Sequence, residues 1–130
     1  MNHVGAMALR TYRELDTWQQ GIALVERCYR ETKRFPPDER LGLTAQLRRA
    51  AVSIPSNVAE GASRLTTKAF VNHVGIALGS LAEVETCIEI ASRLDYLPPQ
   101  EAKALFDLAG VVGRLLNGLL RSLRARDPRQ

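Results

Sequence analysis

Leu105, Ala109, Val112, Leu116, Leu119 and Leu123 recur at intervals of four and three, over about three heptads, which is the spacing of a helix lying in a bundle seam. Leu108, Val111 and Leu115 widen that stripe, so this helix has more than one partner to touch. Valine, isoleucine and aromatic residues never form the alternating runs that would argue for strands. The partners are therefore helices.

Three further helical segments supply them. Leu15, Trp18, Ile22, Val25 and Tyr29 step by three and four over residues 16–33, and Phe35-Pro36-Pro37 ends the run because proline disfavours helix in the residue before it. A second helix is expected from Asp38 to Gly61 and Ser63, with Pro55 kinking it rather than stopping it, because the apolar phase continues to Val58. The third begins at Thr66 or Thr67, either able to act as an N-cap, and runs to about Leu94. Its apolar arc is wide, and Gly75, Gly79, Ala82 and Thr86 form a small-residue column that invites close packing of another backbone. Asp95-Tyr96-Leu97-Pro98-Pro99 turns the chain into the fourth. Short loops make successive helices antiparallel, so the expected fold is all-α, an up-down-up-down four-helix bundle.

At 130 residues the chain fits one domain, and a domain of this size buries about two-thirds of its unfolded surface without needing a disulfide or metal. The bundle is assigned to residues 12–125, with flexible segments at 1–11 and 126–130. Cys28 and Cys87 sit among apolar neighbours and read as core thiols, which suits a reducing cytoplasm. No apolar run is long enough to span a membrane, and the start lacks the pattern of a secretory signal.

The segment from residue 43 to 64 carries an unusual polar stripe. At about 100° per residue, Gln46, Arg49, Ser53, Asn57, Glu60 and Arg64 share a sector of roughly 80° beside the apolar Leu43, Leu47, Ala50, Ile54 and Val58. Catalysis is not what it offers. The only histidines are His3 and His73, no serine is placed against both a histidine and an acid, and Glu-x-x-His metal pairs and phosphate-cradling glycine loops are absent. Glu83 and Glu85 point about 200° apart and cannot share a metal from one face. No enzyme activity, metal or cofactor is expected. The stripe reads instead as a polar lock between the second and third helices, Arg49 pairing with Glu60 or Glu83 alongside Ser53, Asn57 and Ser80.

Four pieces of the chain carry a family resemblance together: Arg-Arg-Ala at 48–50, Ser-Ile-Pro at 53–55, Asn-x-Ala-Glu-Gly at 57–61 and Ser-Leu-x-Glu at 80–83. With the RLDYLPP turn, they resemble the four-helix-bundle family encoded in bacterial large-subunit ribosomal RNA intervening sequences. The likeness runs from about Tyr12 to Arg124. It implies small cytoplasmic homopentamers. A relative, the accessory variability determinant of diversity-generating retroelements, implies binding of nucleic acid and of a reverse transcriptase.

Charge gives the functional expectation its physical basis. The net charge is +4, with basic residues at Arg48, Arg64 and Lys68 and again at Arg114, Arg121 and Arg124, the candidate contacts to phosphate. Aromatic residues are scarce, which argues against base stacking and sequence-specific single-strand readout. Two functions fit: an oligomeric accessory factor that binds RNA or DNA through phosphates, or an oligomeric scaffold whose target is another protein.

Overall fold

The computed structural model describes residues 12–126, so the segment 1–11 with His3, and residues 127–130 of the tail assigned to 126–130, lie outside the described residues, while Arg126 is the last residue of a helix. A helical turn at 12–14 leads into four long helices: α1 (Asp16–Thr32), α2 (Leu43–Ala62), α3 (Thr67–Arg93) and α4 (Pro99–Arg126). A 3-10 turn, Pro37–Glu39, lies between α1 and α2, and no strand occurs among the described residues. Each long helix packs on two others, α1 on α2 and α4, and α3 on α2 and α4. The pairs α1/α3 and α2/α4 make no close backbone contact, so the core lies between all four.

That core is built from the stripes the periodicity marks. Leu24 and Cys28 of α1, Leu47, Ile54 and Val58 of α2, Val74, Val84 and Ile88 of α3, and Leu105, Val112, Leu116 and Leu123 of α4 are all fully enclosed. Each large side chain contributes about 1.5–3 kcal/mol by leaving water. In the α4 seam only Leu119 is partly exposed, packing on the margin of the core. Cys28 and Cys87 are buried free thiols, and desolvation pushes Cys28 up to about 12, so both stay protonated and inert.

Helix ends follow local chemistry. Thr66 caps α3 by accepting from the Ala69 amide at 3.1 Å, as expected for this residue type. At its other end Asp95 adopts φ 61°, and the amides of Asp95 and Tyr96 donate to the carbonyls of Ser92 and Ala91 at 3.1 and 2.9 Å. This is a Schellman closure with aspartate in the position glycine usually fills. Helix α2 runs unbroken through Pro55, whose ring lies against Gly21 of α1; a Cβ on Gly21 would sit 3.4 Å from the proline Cβ. At the opposite side of α1, Arg27 bridges the buried Glu31 and Glu101 of α4, at 3.2 and 2.6 Å, and so ties the first helix to the last.

One boundary differs from expectation. Helix α2 starts at Leu43 rather than Asp38, because the Glu39 side chain takes over the capping: its carboxylate accepts from the Leu43 amide at 2.9 Å and from the Tyr96 hydroxyl at 2.9 Å. Gly42 leaves room for it, since a Cβ there would lie 2.7 Å from the Glu39 Oε1. The Leu43 amide, then the Tyr96 hydroxyl, hold the Glu39 carboxyl below the usual carboxylate range. A depressed carboxyl stabilises the fold fully above its unfolded pKa, and that contribution is lost as pH falls through the folded value. Wild type should therefore be more stable than Glu39→Gln at neutral pH, with the two converging in acid. Denaturant melts across a pH series check this, and a constant gap down to acid pH would contradict it.

Candidate nucleic-acid interface

The sequence Asn-Val-Ala-Glu-Gly closes α2 where α3 begins, and Gly61 is what lets the two meet. A Cβ on Gly61 would lie 2.8 Å from the His73 Cβ and 2.8 Å from Phe70 Cδ1. Only glycine fits without moving α3. The tight turn that follows places Arg64 and Thr66 beside the last turn of α4, where Arg64 and Arg126 line one hollow of about 180 Å³ together with Leu65, Thr67 and Phe70. Arg64 donates to Glu60 at 3.0 Å, but both side chains are half exposed, so the pair holds Arg64 loosely. Lys68, the second residue of α3, is exposed and has no partner among the described residues.

The other α4 arginines lie farther around the helix, Arg121 and Arg124 about 140–160° from Arg126 at about 100° per residue. Arg114, Arg121 and Arg124 are all exposed, and about 100° per residue puts them within a sector of roughly 80°. Arg121, Arg124 and Arg126 also lie near the negative end of the α4 dipole. First-turn amides of α3 add a partial positive charge at the same end. The result is an open, cationic end of the molecule.

Arg48 belongs elsewhere. Its Nε donates to Thr32 Oγ1 at 2.8 Å, one Nη donates to the Tyr29 carbonyl at 3.3 Å, and its guanidinium stands 4.5 Å from the Tyr29 ring centroid. It clasps α2 to the last turn of α1, and is a fold-holding arginine rather than a free phosphate contact. Charge counting alone could not separate it from Arg64.

The polar lock forms, with different members. Ser53 and Ser80 share a hydrogen bond at 2.8 Å, the Asn57 amide donates to the Ser53 carbonyl at 2.8 Å and to its hydroxyl at 3.0 Å, and His73 Nδ1 meets Asn57 Oδ1 at 2.9 Å. Because the Asn57 nitrogen is committed to Ser53, its oxygen accepts, and His73 donates. His73 lies two turns before Ser80 on one face of α3, a spacing that could have revealed it.

Arg49, Glu60 and Glu83 do not join. Arg49 is exposed without a partner among the described residues, Glu60 holds Arg64, and Glu83 accepts only from Gln46 at 3.2 Å. The stripe lies along the outer rim of the α2/α3 contact, where charged heads keep their hydration instead of meeting the desolvation cost of a buried pair. Arg49→Ala and Glu60→Ala should accordingly change the stability of the subunit by no more than about 0.5 kcal/mol in denaturant titrations, against several kcal/mol for a buried pair.

The expected close packing at Gly75 and Gly79 is also not made among the described residues. Both are exposed, and a Cβ on either would meet nothing within 4 Å. No group of His, Cys, Asp or Glu among the described residues could hold a metal ion, and no described helix is long and apolar enough to cross a membrane.

The family model for 23S rRNA-intervening sequence proteins matches residues 13–118. The chain belongs to this family. The matched segment takes in α1, α2, α3 and most of α4 of this intervening-sequence protein. Its fold is similar to the crystal structure of a protein of unknown function from the S23 ribosomal protein family of Bacteroides thetaiotaomicron, with a TM-score of 0.75. Identity is 19%, and the likeness covers 81% of this chain and 95% of that one, so it speaks to fold alone. Comparison with curated proteins finds no match.

Proposed function

We propose that this intervening-sequence protein is a non-catalytic, oligomeric accessory factor that binds RNA or DNA through phosphates. In this reading each subunit is an up-down-up-down antiparallel four-helix bundle. The observation that carries the proposal is that Arg64 and Arg126 line one hollow at the start of α3, with exposed Lys68 in the first turn of α3 and exposed Arg121 and Arg124 in the last turns of α4. The positive charge at this end is carried by guanidinium groups and an ammonium, since the carboxyl-terminal ends of α2 and α4 offset the α3 amides.

Oligomerisation strengthens that reading. The resemblance implies a pentamer, which would carry five times the subunit charge of +4 and repeat the basic end around a ring. Recognition would be of the backbone and not of bases. Tyr29 is the only aromatic side chain markedly exposed among the described residues, and Arg48 already covers its ring.

The test is fluorescence anisotropy with mixed-sequence RNA and DNA probes, duplex and single-stranded, at low salt. The proposal expects binding with little preference among sequences. No binding to any probe would remove it and leave a scaffold for a protein partner, such as the reverse transcriptase that the resemblance implies.

A further inference from the structure

The exposed face of α3 combines small and apolar residues that no described part of the chain covers. Gly75 and Gly79 lie open on it, and each lowers helix propensity by about 1 kcal/mol relative to alanine. Nothing among the described residues uses the space they leave. On the same face Ile76, Ile90 and Leu94 are 46%, 42% and 52% exposed, where a solvated helix would carry polar groups. Toward α4 the face deepens into an open groove of about 560 Å³ with Ile90 and Phe106 among its walls.

The charges beside this face indicate what covers it. Among the described residues Glu83 has no cationic partner, and Arg49, on the neighbouring exposed face of α2 with the 39%-exposed Val52, has no carboxylate partner. A surface with an unpaired cation on one strip and an unpaired carboxylate on the next is complementary to another copy of itself.

We infer that the α3 face bearing Gly75, Ile76, Gly79 and Ile90 packs against the α2 face of a second copy of this chain, with Arg49 of one copy opposite Glu83 of the other. The glycines let the two helices approach closely, the isoleucines are covered, and the ion pair sets register. This rests on the oligomeric reading above and assigns it a surface.

Sedimentation velocity over a concentration series, joined to thermal melts, tests it on wild type, Gly79→Leu, Arg49→Glu and the double variant Arg49→Glu/Glu83→Arg. Wild type should sediment as an oligomer. Gly79→Leu should weaken association at least tenfold while the dissociated subunit, at dilutions where both proteins are monomeric, melts no lower, because the added side chain meets open space and leucine favours helix. Arg49→Glu should also weaken association, and the double charge reversal should restore it. Wild-type-like assembly of Gly79→Leu would overturn the assigned face while leaving oligomerisation intact, as would a double variant no better than Arg49→Glu. A lower melt for Gly79→Leu at dilutions where both proteins are monomeric would likewise overturn it, by showing the glycine to be packed within the chain. A wild type that stays monomeric throughout would overturn both the face and the oligomer, and would not bear on phosphate binding.

Discussion

Gly61→Val should destabilise the subunit by about 3 kcal/mol, the upper end of what overpacking a tight site costs. Even the first added carbon would lie 2.8 Å from the His73 Cβ and 2.8 Å from Phe70. The former is anchored at the α3 backbone and cannot rotate away, so the α2/α3 contact must open. Opening it strains the hydrogen bond from His73 to Asn57 and, through Asn57, the Ser53–Ser80 bridge. It also moves the turn that presents Arg64, so phosphate affinity should fall along with stability. Urea titration gives the stability change directly, and a midpoint equal to that of wild type would show that α2 and α3 do not meet this closely. Gly61 and Gly79 are the same residue type with opposite expected outcomes. One is packed and the other is open.

Replacing Arg64, Lys68, Arg121 and Arg124 together with glutamine should lower nucleic-acid affinity by at least about a hundredfold at low salt, since duplex binding of this kind draws most of its free energy from released counterions. All four side chains are exposed, so the variant should keep the wild-type melt to within about 0.5 kcal/mol per site. Arg48→Gln should do the reverse. Its loss removes the clasp on Thr32 and Tyr29 and lowers stability, yet leaves the salt dependence of binding unchanged. The contrast between these variants separates charge that binds from charge that holds the fold.

Much of this molecule was legible as pattern. Apolar residues at helical spacing identify the core of each helix because burial is set by phase, and Thr66 and the Asp95 turn announce the ends of α3 because their chemistry is local. Contacts that depend on reach across the fold were not legible. Glu39 caps α2 and holds Tyr96, distant in the chain, and so displaces the helix start from Asp38. Arg27 joins Glu31 to Glu101 by the same kind of reach.

The candidate site divides in the same way. Ser53, Asn57 and Ser80 meet as their spacing suggests, whereas periodicity puts Arg49, Glu60 and Glu83 on the right faces without saying whether those faces are covered. A long charged side chain at the rim of a contact can turn to water, and these do. The same limit applies to Gly75 and Gly79: a small-residue column tells that something can approach, not that it comes from the same chain.

In the proposed function, phosphate binds at the end of the molecule that carries Arg64, Lys68, Arg121 and Arg124. The salt dependence of nucleic-acid affinity, measured for wild type beside the four-site glutamine variant, tests it most directly. Log affinity for wild type should fall steeply and linearly with log salt, and the variant should show a shallower slope, by about 0.9 for each duplex phosphate contact removed. Equal slopes for the two proteins, or binding that does not weaken with salt, would contradict the account.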